Sequence, residues 1–62
     1  MNRPHETREK YQAGNVVRLK DQREEMTVSW HREGTVHTQW FVGGTLWEAN
    51  FNACDLVFVK EG

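Results

Sequence analysis

His5, His31, His37 and Cys54 are the side chains of this 62-residue chain whose donor atoms suit metal ligation or nucleophilic chemistry. A structural zinc site draws on Cys and His in closely spaced pairs, because two ligands from one short loop fix half of the tetrahedron. These four residues show no such pairing, so they read as three surface histidines and an isolated thiol, and no metal is expected. Covalent catalysis needs a Ser or Cys nucleophile beside a base that a third group orients, and no His here stands in a recognisable pattern of that kind. Gly43-Gly44 is no phosphate loop, since it leads into a strand pattern and lacks the Lys-Ser/Thr continuation. With no cofactor motif and no small-molecule substrate evident, the chain is expected not to be an enzyme.

Binding chemistry has more material. Trp30, Trp40 and Trp47, with Tyr11 and Phe41, have the ring faces to cage a cationic side chain. In so small a domain the same rings are needed first for the core, where each buries ~150–250 Å². The core reading therefore takes precedence, and Trp30, next to Arg32-Glu33-Gly34, is the tryptophan placed to stay partly exposed. A nucleic-acid reading rests on Arg18, Lys20 and Arg23 on and after the first strand and on Arg3, Arg8 and Lys10 near the N-terminus. Glu6, Glu9, Asp21, Glu24 and Glu25 are interleaved with them. Eight Lys and Arg against nine Asp and Glu leave a net charge of −1, with no global attraction to nucleic acid or anionic lipid. Nucleic acid is kept as the alternative partner.

Chain length allows one domain. A fold of this size buries only ~60% of the surface its unfolded chain exposes, so a dimer would add needed stability. One cysteine permits no intramolecular disulfide and suits a reducing cytoplasm. Met1 to Lys10 is polar and of mixed charge, reads as a flexible arm (1–10), and lacks the apolar stretch of a signal peptide. Nowhere do 18 apolar residues run together, so no membrane span is expected.

The domain (11–62) shows period-two runs at Val16 to Lys20, Met26 to Trp30, Thr35 to Val42, Thr45 to Phe51 and Leu56 to Val59. Gly34 marks one tight turn, and Gly43-Gly44 marks a two-residue hairpin that requires positive φ. Asn52-Ala53-Cys54-Asp55 favours a cap or turn, and a single 3₁₀ turn there lets the last strand cross back. The expected fold is all-β, a small five-stranded SH3-like barrel with a 3₁₀ turn before the last strand.

Alternation assigns Val17, Leu19, Met26, Val28, Trp30, Val36, Thr38, Trp40, Val42, Leu56 and Phe58 to the core face. In the fourth strand a buried Glu48 would be costly, so Trp47 and Phe51 are placed inward and Leu46 outward beside Phe41. Val57 and Val59 extend the same outer surface. An outward apolar set on so small a domain points to an interface made by Phe41, Leu46, Val57, Val59 and Trp30. The competing reading is that curvature or a bulge buries both faces in places.

One phrase carries a resemblance. Gly14-Asn15-Val16-Val17-Arg18-Leu19-Lys20, then Met26-Thr27-Val28, Trp40-Phe41, Leu46, Phe51 and Leu56, resembles the YodC-like family of small bacterial proteins of uncharacterised function. That family's pattern runs Gly-Asp-Val-Val-x-Leu-Lys-Ser-Gly-Gly-Pro-x-Met-Thr-Val, and the likeness spans about Gly14 to Val59. The family's Ser-Gly-Gly-Pro turn is replaced here by Asp21-Gln22-Arg23-Glu24-Glu25. Type II dihydrofolate reductases, also small SH3-like barrels with a Gly-Asp-x-Val opening, depend on a Val-Gln-Ile-Tyr segment. The strand here reads Leu46-Trp47-Glu48-Ala49-Asn50-Phe51, so that activity is rejected. The expectation is a cytoplasmic protein-interaction or regulatory module. It either forms a homodimer or binds a larger protein partner, as small phage or mobile-element inhibitors do, without cofactor.

Overall fold

The computed structural model describes residues 10–62. Most of the proposed arm, including Arg3, His5 and Arg8, lies outside the described residues. Among the described residues five strands follow one another: β1 (Val16–Leu19), β2 (Met26–Arg32), β3 (Thr35–Val42), β4 (Thr45–Asn52) and, after a 3₁₀ turn at Ala53–Asp55, β5 (Leu56–Lys60). They form one antiparallel sheet in the order β4-β3-β2-β1-β5.

Two-residue turns build the central hairpins. Gly43 and Gly44, with φ of 57° and 86°, form the doubly left-handed turn that matches strand twist. The β3–β4 ladder then runs without a shift from Val42 opposite Thr45 to Thr35 opposite Asn52. Between β2 and β3 the turn is Glu33-Gly34, and Glu33 itself takes a positive φ of 50°. β2 thereby extends to Arg32, beyond the expected end at Trp30.

The connection from β4 to β5 sets the shape of the sheet. The two strands are its opposite edges, which in a flat sheet of five would stand about 19 Å apart at ~4.8 Å per strand. Three residues of 3₁₀ turn, rising ~2 Å each, link them, so the sheet must coil until its edges approach. Two backbone bonds hold that corner: Lys20 N–H donates to Asp55 O at 3.1 Å, and Ala53 N–H donates to Gly34 O at 2.8 Å. Among the described residues no ladder joins β4 to β5, so the structure is a coiled open sheet where a closed barrel was expected.

Val17, Met26, Val28, Val36 and Leu56 are buried as alternation requires, with Leu19, Trp40 and Phe51 packed against them. Thr38 is also buried, and its hydroxyl donates to Ala49 O at 3.0 Å, so the core holds no unpaired hydroxyl there. Tyr11, outside every strand, completes the core. It is 2% exposed, its hydroxyl donates to Leu56 O at 3.2 Å, and its N–H donates to His31 Nδ1 at 3.0 Å. One residue thus ties the chain before β1 to both β2 and the start of β5.

Four expected core positions are corrected. Val28 pairs with Thr38 and Trp30 with His37, so Ser29 is an extra residue in β2. A bulge of this kind reverses alternation beyond it, which carries Trp30 to the outer face and His31 to the inner one. Val42, Trp47 and Phe58 keep the inner parity, opposite Thr45, Trp40 and Val17. They are nonetheless 47%, 52% and 45% exposed, so inner parity alone does not bury them.

Candidate interaction surface

The outer face of β3 and β4 holds two adjoining groups of side chains. At the turn end, Phe41 and Leu46 stand directly opposite each other, 70% and 46% exposed. Directly opposite residues share a face, and across the sheet from this pair Val42 and Trp47 emerge on the inner side. The Gly43-Gly44 hairpin end is therefore apolar on both faces. Phe41 and Leu46 also border an open depression of about 350 Å³ whose other walls are Glu25, Thr27, Gln39 and Trp40. Thr27 and Gln39 are a register pair, so the hollow lies over the β2–β3 seam and extends to the hairpin.

Farther along the same face runs a row of stacked polar and aromatic groups. The Arg32 guanidinium lies 5.2 Å from the Trp30 ring centre. Trp30 stacks on His37 at 5.4 Å with an interplanar angle of 12°. His37 Nε2 stands 3.0 Å from Glu48 Oε1, while its buried Nδ1 has no hydrogen-bond partner. The Ser29 bulge creates this row, since regular alternation would have turned Trp30 toward the core. Glu48 is held outward beside it, in accord with its expected exposure.

Of the expected interface set, Phe41, Leu46 and Trp30 share the outer face in its two adjoining groups, whereas Val57 and Val59 belong to β5 at the opposite edge of the sheet. Val57 and Val59 are half-buried. Trp47 was missed as a surface residue, because its periodicity is that of a core position and only its place near the turn exposes it.

The basic set is divided as well. Arg18 Nη1 lies within hydrogen-bonding reach of the carbonyls of Leu19, Lys20 and Gln22, at 3.2, 3.1 and 3.2 Å. It is thereby committed to shaping the β1–β2 connection. Lys20 and Arg23 are exposed in or beside that connection, and the Lys10 ammonium sits 5.3 Å from the Tyr11 ring centre. Arg8 lies outside the described residues.

For metal and catalytic chemistry the geometry adds little. His31 faces inward, against Tyr11 at 5.6 Å between ring centres, whereas His37 faces outward, so the bulge separates the two histidines to opposite sides of the sheet. Cys54 is an exposed thiol on the 3₁₀ turn. Among the described residues no three His, Cys, Asp or Glu side chains are grouped to hold a metal ion, and no helix is long and apolar enough to cross a membrane. No family model, no curated protein sequence and no solved structure matches the chain.

Proposed function

We propose that this protein is a non-enzymatic protein-interaction module of the YodC-like type, with its coiled sheet and late 3₁₀ turn in an SH3-like arrangement. The observation that carries the reading is the apolar end of the β3–β4 hairpin. Phe41, Val42, Leu46 and Trp47 are each about half exposed or more, and they flank one turn with two on each face of the sheet. Burying a side chain of this size against a partner is worth roughly 1.5–3 kcal/mol. A cluster of large apolar side chains on a small domain is thus a surface for another protein, since isolated soluble domains keep such patches small. The depression beside Glu25 gives the surface a concave, polar-rimmed margin that suits an inserted side chain.

The module acts by occupancy: it holds or blocks a partner in the cytoplasm, without chemistry of its own. The nucleic-acid alternative is weaker, because Arg18 is already engaged with three backbone carbonyls. The test compares the wild-type protein with Phe41→Asp and Leu46→Asp in affinity capture from nuclease-treated lysate. Both substitutions are at exposed positions, so the fold is retained and a specific protein partner is lost. Capture that is equal in all three proteins, or nucleic acid that alone is retained and elutes with salt, overturns the reading.

A further inference from the structure

The two edges of the sheet are unequally defended. β5 is short, ends on Lys60 and pairs with β1 through a register shift between Val16 and Val17. Charged ends, brevity and bulges are the features by which edges avoid pairing with other chains. β4 has none of them: it runs from Thr45 to Asn52 without Lys, Arg or Pro, and its ladder to β3 has no shift.

Which backbone groups face outward follows from the turn. In a two-residue hairpin the flanking pair, Val42 and Thr45, is hydrogen-bonded, and such pairs alternate along the ladder. Trp47, Ala49 and Phe51 therefore direct their N–H and C=O groups to β3, and the Thr38 hydroxyl reaching Ala49 O agrees with this. Leu46, Glu48, Asn50 and Asn52 direct theirs to the edge, which no strand among the described residues pairs with. All four residues are exposed.

We propose that this edge pairs with β4 of a second copy, antiparallel about a twofold axis through Ala49. The inference rests on the protein-interaction reading and names the partner and the contact. A twofold axis perpendicular to the sheet keeps the inner faces on one side, so each residue meets one of like parity. Centring on Ala49 sets Trp47 opposite the partner's Phe51 on the inner face, an aromatic cross-strand pair formed twice. On the outer face it sets Glu48 opposite the partner's Asn50, a carboxylate facing an amide donor, also twice. Leu46 meets the partner's Asn52, and its outward backbone groups are satisfied in the same ladder. Centring on Glu48 instead places two carboxylates face to face, which is unfavourable. Centring on Asn50 loses the Trp47 to Phe51 pairing, and centring on Trp47 replaces that doubled pair with one Trp47 to Trp47 contact while setting Leu46 against the partner's Glu48. Charge and aromatic complementarity thus favour the Ala49 register.

Single-cysteine scanning in a Cys54→Ser background tests this register. At Ala49 the two strands form a non-hydrogen-bonded pair with Cα atoms ~4.5 Å apart, inside the range a disulfide spans. Ala49→Cys is expected to give a covalent dimer under mild copper-phenanthroline oxidation. Asn50→Cys, whose twin lies ~7–8 Å away on the diagonal, is expected to cross-link poorly. Sedimentation equilibrium on the intact chain supplies a second readout. Asn50→Asp sets a carboxylate against Glu48 at two symmetric places and is expected to weaken the dimer about tenfold, whereas Asn50→Lys tightens it.

A monomer at all concentrations overturns the proposal, as does a dimer whose cross-linking peaks at Trp47→Cys, Glu48→Cys or Asn50→Cys. So does a dimer indifferent to the charge at position 50. Loss of a lysate partner in Phe41→Asp from a strictly monomeric protein leaves the interaction module standing and removes only the edge dimer. An Ala49-centred dimer that captures nothing and tolerates Phe41→Asp does the reverse.

Discussion

Replacement of Tyr11 is expected to cost more stability than replacement of any residue in β5, although Tyr11 belongs to no strand. Its side chain is 2% exposed, and a buried tyrosine removes ~150–250 Å² from water. At ~25 cal/mol per Å² this is about 4–6 kcal/mol, an upper figure that agrees with the 3–5 kcal/mol typical of truncating a core aromatic to alanine. The total stability of a domain this size, at ~0.05–0.15 kcal/mol per residue, is about 3–9 kcal/mol. Tyr11→Ala thus removes a large share of it. Tyr11→Phe isolates one component, the hydroxyl donated to Leu56 O at 3.2 Å, worth about 1 kcal/mol. The assay is urea unfolding followed by tryptophan fluorescence, read through Trp30 and Trp40, which are half-buried in the fold. For a small domain with a slope near 1 kcal/mol per molar urea, Tyr11→Phe lowers the midpoint by about 1 M. The Phe variant remains folded, so the measurement does not depend on the survival of the Ala variant. A Tyr11→Ala protein that loses less than about 1 kcal/mol would refute the placement of this residue in the core.

The turns and the stacked row give further expectations. Gly44→Ala forces a side chain into φ of 86° and is expected to cost about 1–2 kcal/mol, lowering the melting temperature by several degrees. A melting temperature unchanged in this variant would show that left-handed strain does not govern the turn. His37→Phe retains the stack on Trp30 while removing the buried Nδ1 that has no partner. Its lost contact with Glu48 involves a carboxylate that is half exposed, worth little through water. The variant is expected to match or slightly exceed wild-type stability in thermal unfolding, and a loss above about 1 kcal/mol would show that the imidazole makes an essential bond.

Much of the architecture is written in local patterns. Gly43-Gly44 demands its hairpin because both residues must take positive φ, and Val17, Met26, Val28, Val36 and Leu56 declare a buried face through period two. The 3₁₀ turn is legible in Asn52 to Asp55 for the same reason, that short polar residues favour turns over ladders. The outward positions of Phe41 and Leu46 follow from alternation once Glu48 is kept from the core.

Other features arise only when strands meet. The Ser29 bulge is a property of the β2–β3 pairing, and it alone sends Trp30 outward to stack on His37 while His31 turns in toward Tyr11. Tyr11 stands next to a polar segment and has no periodic neighbours, so its burial depends on the coil that brings β5 beneath it. Trp47 and Phe58 carry core periodicity yet remain half exposed. Alternation determines which face a side chain takes, whereas burial requires a second layer over that face. The same division holds for the edges: sequence determines that β4 is long and uncharged apart from Glu48, and the order β4-β3-β2-β1-β5 decides that, among the described residues, its outward N–H and C=O groups lie at an edge of the sheet.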